Sequence, residues 1–286
     1  MRRYYHFAGL DFMINLPDER MYREDWRLSD FRAESVLDPH CFRFEMVDLL
    51  EMPQEDPVTI QPGFRVYQEK EWSVRYIGSV QQSTEGAYIR AAHREKEHYV
   101  QLKRSHFQGS VGSKTVLNSL MVEHLVAQAD GVILHASYIA WNGNAILFTA
   151  PSGTGKSTQA ELWKRFKGAE IVNGDRAVVR LEKKNILAEG IPFAGSSKYC
   201  CNRSLPLAAI VYLSQAPCTV IRRIKGIQAF MRVWEGCSVN TWDKEDVSKV
   251  SDLVSKVIRD IPVYRLDCTP DESAVTALEQ ELRKEL

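Results

Sequence analysis

The residues predict an α/β domain built around a phosphate-binding loop, preceded by a smaller β-rich domain. Three observations lead there. Ala150-Pro-Ser-Gly-Thr-Gly-Lys-Ser157 fits the Walker A pattern, with Ala in the first position, and stands between an apolar strand-like run and a helix-forming run. Residues 64–103 hold short aromatic and β-branched segments separated by charged turns. Residues 243–286 repeat apolar side chains at helical spacing instead.

A chain of 286 residues has room for one large domain or two smaller ones around a real core. Its 37 basic and 37 acidic residues balance, so no nucleic-acid or lipid-surface partner is expected. The six cysteines, Cys41, Cys200, Cys201, Cys218, Cys237 and Cys268, include no C-x-x-C pair and read as free thiols in a reducing cytoplasm. The opening Met1-Arg-Arg-Tyr-Tyr-His6 leads into no long apolar stretch, so no signal peptide is expected. No run approaches the ~18 apolar residues of a spanning helix. A cytoplasmic protein without a membrane partner is the expectation.

In chain order, Phe64–Gln68, Trp72–Ile77, Ala87–Ala92 and Tyr99–Lys103 read as antiparallel strands, with Gln68–Glu71 and Arg94–Glu97 as turns. Residues 17–60, rich in Asp, Glu and Pro, read as less regular. The β-rich domain is placed at residues 1–112 and the loop domain at 113–286. The second opens with a helix over about 113–128, faced by Val116, Leu117, Leu120, Met121 and Val126. Gly131–Ala140 reads as one strand, Asn142-Gly143 as a hairpin turn, and Ala145–Thr149 as the strand feeding the loop. Ser157–Lys167 is the helix that leaves it. Glu170–Val172 and Ala177–Leu181 flank Asn173-Gly-Asp175 as strands. The apolar run Leu207–Leu213 has the character of a buried central strand, and Thr219–Ile224 reads as a further strand. A helix over about 243–260 follows, faced by Val247, Val250, Leu253, Val254, Val257 and Ile258. The last helix opens at Thr269-Pro-Asp-Glu272, a capping box with Pro at the first helical position.

The loop chemistry follows from the residue types. Gly153 and Gly155 let the backbone turn its N–H groups inward onto an anion. The helix N-terminus beyond adds about half a positive charge. Lys156 reaches outer phosphates as a point charge, and the Ser157 hydroxyl suits Mg²⁺. The expected contact set is Ser152, Gly153, Thr154, Gly155, Lys156, Ser157 and Thr158. A nucleotide-binding protein is expected.

Such a loop does not distinguish an ATPase, a GTPase, a kinase or a passive nucleotide sensor. The next acid is more informative. Asp175 comes on or beside the first strand after the loop helix, where one helix and one strand return it to the phosphates. Its candidate roles are holding Mg²⁺ or accepting the proton of an attacking hydroxyl, the alternative being an ordinary Gly-Asp turn. His135 reads as a polar neighbour of the transferring phosphate or as a hydrogen-bonded core residue. Gly195-Ser-Ser197 offers N–H groups and hydroxyls to a phosphate or acceptor, or is a plain turn. Lys198 and Arg203 are candidates for neutralising charge, or solvated surface residues. Arg222, Arg223, Lys225 and Arg232 make a modest basic cluster, read as a grip for an acidic peptide or as one charged face. The seven histidines show no metal-ligand spacing with Cys, so no zinc site is expected.

Taken together, His135-Ala-Ser137, a short hairpin, the loop, its helix and Val172-Asn-Gly-Asp-Arg176 resemble the catalytic domain of HPr kinase. There a His-led strand, a P-loop and an acid–acid–Arg segment follow in that order. With Pro192-Phe-Ala-Gly-Ser-Ser197, Asn202 and the Leu207 strand, the chain resembles more closely the HPr-kinase-related proteins of modified peptides, including lasso-peptide serine kinases. The resemblance covers roughly residues 113–286. It implies a P-loop kinase domain of the HPr kinase/phosphoenolpyruvate carboxykinase type, ATP with Mg²⁺, and transfer to a serine hydroxyl. The acceptor would be a peptide or small protein, a ribosomally made precursor peptide among them. By matching position, Lys156 and Ser157 handle nucleotide and metal, Asp175 is the catalytic acid and a metal contact, and His135 is its neighbour. HPr kinase is familiar as a hexamer, so a homo-oligomer belongs to the implication, with no interface legible in the residues. Where HPr kinase has two adjacent acids this chain has Gly174-Asp175. That departure bears on a second metal ion and on the reverse, phosphate-dependent reaction, and leaves the forward reaction intact. Two rival functions stand beside the peptide kinase: a nucleotide-gated module that binds a precursor peptide without catalysis, and a kinase of a small acceptor such as free serine.

Overall fold

The computed structural model describes residues 1–17, 22–107 and 110–285. By internal contacts the chain divides into two compact units, Met1–Val122 and Glu123–Leu286. Both are mixtures of strand and helix, and the strands of each assemble into large sheets. Among the described residues no helix is long and apolar enough to cross a membrane.

The first unit carries a nine-stranded mixed sheet. Half of it is the antiparallel meander legible from sequence: Phe64–Glu69, Trp72–Gly78, Ala87–Arg94 and Glu97–Lys103 pair in succession. Its turns need left-handed residues, and Lys70 (φ 54°) and Glu95 (φ 48°) supply them. The other half departs from expectation. Arg2–Phe7 and Leu10–Asn15 form a hairpin, and His40–Val47 runs parallel to both Leu10–Asn15 and Glu97–Lys103, in the stretch expected to be irregular. Its signal was an alternation within an acidic, proline-rich neighbourhood, with Phe42 and Phe44 buried and Arg43 and Glu45 exposed. Phe42 stacks on the buried His98 ring at 4.0 Å, and Phe7 on Phe12 at 4.3 Å.

In the second unit, Asn144–Thr149 lies between Ala136–Trp141, its antiparallel hairpin partner, and the long strand Ser204–Gln215, to which it is parallel. Asn142 (φ 48°) and Gly143 (φ 77°) make the turn. Alternate residues of this strand enter two separate cores. Ile146 and Phe148 pack with Trp163 and Leu278 of the helices Lys156–Lys167 and Glu272–Glu285. Ala145 and Leu147 pack with Val250 and Val254 of the helix Lys244–Asp260 and Val233 of the helix Gly226–Trp234. Burial on both faces is why the strand reads as continuously apolar. Asp246, buried in the first turn of Lys244–Asp260, accepts from Asn240 Nδ2 at 2.8 Å and Gln128 Nε2 at 3.2 Å and lies 2.9 Å from His124 Nδ1. Asp243 caps the same helix.

Several elements differ from the sequence reading. The helix expected over 113–128 is two, Ser113–Ser119 and Val122–Gln128, separated where Met121 turns left-handed at φ 53°. The strand expected over 131–140 breaks at His135 into Gly131–Leu134 and Ala136–Trp141. These two pieces have different neighbours: the first pairs with Ala177–Glu182 and Cys237–Ser238, the second with Asn144–Thr149 and Glu170–Asn173. The final helix begins at Glu272, with Asp271 rather than Thr269 accepting from Ser273 N at 2.9 Å, so Pro270 lies outside it. The strand Asn185–Gly190 and the helix Gly226–Trp234 were not expected.

Trp163 is fully buried and meets Trp141 edge-on at 5.1 Å. Trp163→Ala is expected to cost about 3–5 kcal/mol in denaturant unfolding. Trp163→Phe, which keeps most of the aromatic volume, is expected to cost about 1.5 kcal/mol or less.

Candidate functional site

The loop leaves Thr149 and turns into its helix through two left-handed glycines, Gly153 at φ 78° and Gly155 at φ 114°. A Cβ at either would point into open space, so glycine is required there by backbone angle rather than by packing. Gly155 caps the helix Lys156–Lys167, and Gln159 N closes its first turn on Gly155 O at 2.9 Å. Lys164, Arg165 and Lys167 occupy the last turn, where cations suit the helix dipole. The Lys156 side chain folds over the loop and donates from Nζ to Ala150 O at 2.9 Å and Pro151 O at 3.4 Å. Burial pushes its ammonium below the ordinary value, and Asp175 pulls it back up. Ser152 faces the mouth of the loop, and Thr158 is exposed in the first helical turn. Thr154 O and Gly153 O lie 3.5 Å and 3.4 Å from Gln215 Nε2, at the end of the adjoining parallel strand. That strand ends in Ser214-Gln215, so it brings no carboxylate to the loop.

The acid comes from the other side. Ser157 Oγ lies 3.5 Å from Gly174 O, which also accepts from Ser137 Oγ at 3.0 Å. Asn173, fully buried, shapes this turn. Its Oδ1 accepts from Asp175 N at 2.9 Å and Arg176 N at 3.0 Å, and its Nδ2 donates to Ile191 O at 2.9 Å and Phe193 O at 3.2 Å. Asp175 is left at the surface of a cleft with Oδ1 3.2 Å from His135 Nε2 and Oδ2 3.4 Å from Arg176 Nε. His135 reaches it because the strand breaks there: His135 N donates to Gly236 O at 2.7 Å, and His135 O accepts from Thr149 Oγ1 at 3.1 Å. Burial, then the Lys156 charge, holds the imidazole below its ordinary 6.5, against the opposing pull of Asp175.

Ser196, Ser197, Lys198 and Tyr199 line the same cleft as Ser157 and Asp175, with Glu161 from the loop helix. The Tyr199 hydroxyl lies between Glu161 Oε1 at 3.0 Å and Lys164 Nζ at 3.1 Å. Where two adjacent acids would stand, Gly174 has no space for a side chain: a Cβ would meet Ser197 Oγ at 2.1 Å and Ser197 Cβ at 2.7 Å. The cleft is therefore built for one carboxylate at this turn. Arg203 pairs with Glu170, and Arg222 with Asp267 at 3.2 Å, so neither acts as a loose cation beside the loop. Asn173, Ser137 and Tyr199 were not singled out from sequence. The Asn-Gly-Asp turn was the available signal for the first, since a side chain two residues before a donor forms such turns readily.

Residues 111–282, more than half of the chain, match the family described as SynChlorMet cassette protein ScmC. The chain belongs to this family. No curated protein matches it by sequence. Among solved structures, the chain is similar to the Hpr(Ser) kinase/phosphatase from Coxiella burnetii at 12% identity, with 53% of this chain and 91% of that one covered and a TM-score of 0.33.

Gly174→Ala is expected to destabilise the chain by about 1–3 kcal/mol through the clash with Ser197, and Gly174→Ala/Ser197→Gly to recover most of the loss in the same denaturant titration. A second expectation concerns pH. The folded chain takes up a proton at His135 less readily than the unfolded chain, because its imidazole lies below 6.5. This site therefore favours folding least below that value and fully above it. Melting temperature should fall on acidification through this range, and His135→Gln should make the fall shallower.

Proposed function

We infer that the chain is an ATP-dependent kinase that transfers the γ-phosphoryl group to a serine hydroxyl of a peptide or small protein. One observation carries the reading: the Asp175 carboxylate, the His135 imidazole and the Ser157 hydroxyl meet at the mouth of a glycine-turned loop that leads into a helix. The residues present fit a magnesium-bound nucleotide. The loop has left-handed glycines where its backbone must wrap an anion, a lysine already drawn over it, and hard oxygen donors in Ser157 and Asp175. Lys156 and the backbone of Ser152–Thr158 would hold the phosphates, and Ser157 with Asp175 the metal. Mg²⁺ supplies charge neutralisation on the phosphates when bound.

Asp175 accepts the proton of the serine hydroxyl as its oxygen bonds to the γ-phosphorus. The bond from that phosphorus to the bridging oxygen breaks, and ADP leaves with the electron pair. His135 and Arg176 keep the two Asp175 oxygens oriented, so little reorganisation accompanies the transfer. Membership of a family of cassette proteins supports an acceptor made alongside it, such as a precursor peptide. The single carboxylate imposed by Gly174 and Ser197 favours a second reading, a module that binds nucleotide and peptide without transfer. A small acceptor such as free serine is told apart only by its product.

Lys156→Ala is expected to abolish the rise in melting temperature caused by Mg-ATP; an unchanged rise would remove the loop from the site. Asp175→Asn is expected to keep nucleotide binding and lose transfer by roughly two to four orders of magnitude, read by mass spectrometry of serine peptides incubated with Mg-ATP. Binding without any phosphorylated product in the parent protein would favour the module.

A further inference from the structure

Apart from the cleft lined by Ser157 and Asp175, a cavity of about 350 Å³ opens beside the first residues of the loop. That volume is of the size that holds a few side chains of a ligand. His135 and Ser152 line it together with Tyr212, Arg232, Glu235 and Gly236. His135 thus lines this cavity while its Nε2 lies 3.2 Å from Oδ1 of Asp175, which lines the other cleft. In-line transfer needs the acceptor opposite the leaving diphosphate, within reach of the base. The cavity adjoins the loop entrance and reaches the base through His135 and its contact with Asp175.

The Gly236 part of the lining is closely packed. Gly236 accepts from His135 N at 2.7 Å, and a Cβ at this position would come within 2.6 Å of Thr149 Oγ1 and 2.9 Å of Leu134 Cδ1. The end of the helix Gly226–Trp234 is therefore fixed against the strand ends that carry the site. Arg232 lies over the Tyr212 ring at 4.7 Å. Its Nη1 donates to the Tyr212 hydroxyl at 3.3 Å and to Glu235 at 3.0 and 3.1 Å. Every hydrogen bond it makes among the described residues passes through Nη1, which leaves the Nε and Nη2 edge available. A guanidinium fixed on one face and one corner presents that edge as a fork, the geometry that suits a carboxylate. Because Glu235 already balances its charge, selectivity here comes from directed hydrogen bonds more than from long-range attraction.

On the kinase reading, we propose that this cavity is the acceptor subsite and that Arg232 determines its specificity by binding a carboxylate carried beside the target serine. The class of substrate is an acidic peptide. Three fluorescent peptides test this, each with a single serine, flanked by Asp in the first, by Asn in the second and by Lys in the third. Their binding is read by anisotropy with Mg²⁺ and a non-hydrolysable ATP analogue, and their phosphorylation by mass spectrometry with Mg-ATP. The Asp peptide is expected to bind about tenfold tighter, the scale of one charged hydrogen-bonded contact. Arg232→Gln should erase the difference, and Arg232→Lys, which keeps the charge without the fork, should retain part of it. Arg232→Glu should transfer the preference to a Lys-flanked peptide, a gain that loss of folding cannot imitate. Equal or undetectable binding of the Asp and Asn peptides, or a preference that survives in Arg232→Gln, would overturn the subsite. Phosphate transfer to the Asp and Asn peptides alike would leave the kinase reading standing without it. Arg232-dependent binding with no transfer to either would leave the subsite standing and remove the kinase reading.

Discussion

The buried side chain of Asn173 is the interaction on which the candidate site depends. A primary amide has two acceptor positions and two donor hydrogens, and here all four are engaged with backbone. Its oxygen shapes the turn that presents Asp175, and its nitrogen fastens the segment 191–193 that leads into the serine-bearing loop. One residue therefore sets the relation between the acid, the Ser157 side of the glycine-rich loop and the Ser196–Tyr199 wall. Buried amides without partners are costly, so this arrangement is favoured over alternatives that would leave any one of the four groups unmet.

The break at His135 is the second constraint. A strand that continued straight through this residue would keep one set of neighbours and point its side chain into one of the two cores. Instead the chain changes partners, with Gly131–Leu134 on one side of the sheet path and Ala136–Trp141 on the other. The imidazole is released toward Asp175 while its backbone is satisfied by Gly236 and Thr149. The Gly236 contact brings the end of the helix Gly226–Trp234 to the site, and with it Arg232 and Glu235. Position and electrostatics are thus linked: the burial that lowers the His135 basicity comes from the packing that orients it.

Much of the local order was legible because it follows from short-range physics. The meander from Phe64 to Lys103, the Asn142-Gly143 hairpin, and the strand, loop and helix around residues 144–167 depend on alternation, turn chemistry and helix periodicity within each segment. Elements that failed to announce themselves depend on distant partners. His40–Val47 gains its place from two parallel neighbours far away in sequence, and Gly226–Trp234 buries only Ala229 and Val233 fully, a weak signal in a nine-residue span. The Met121 and Asp271 departures are of another kind, since a single dihedral or a choice between two adjacent caps moves an element boundary.

What the sequence by itself determined is the residue chemistry: a lysine and a hydroxyl behind a glycine-turned loop, an acid on or beside the next strand, and balanced charge. Tertiary structure alone decided which of these meet. Asp175, His135 and Ser157 come together because three separate segments converge at one end of the sheet, and Arg232, in sequence only one member of a basic cluster, joins the rim beside them. Gly174 shows the division most clearly. In the sequence it is a missing carboxylate; in the fold it is a position already filled by Ser197, because contacts between residues far apart in the chain are set by packing volume and not by spacing.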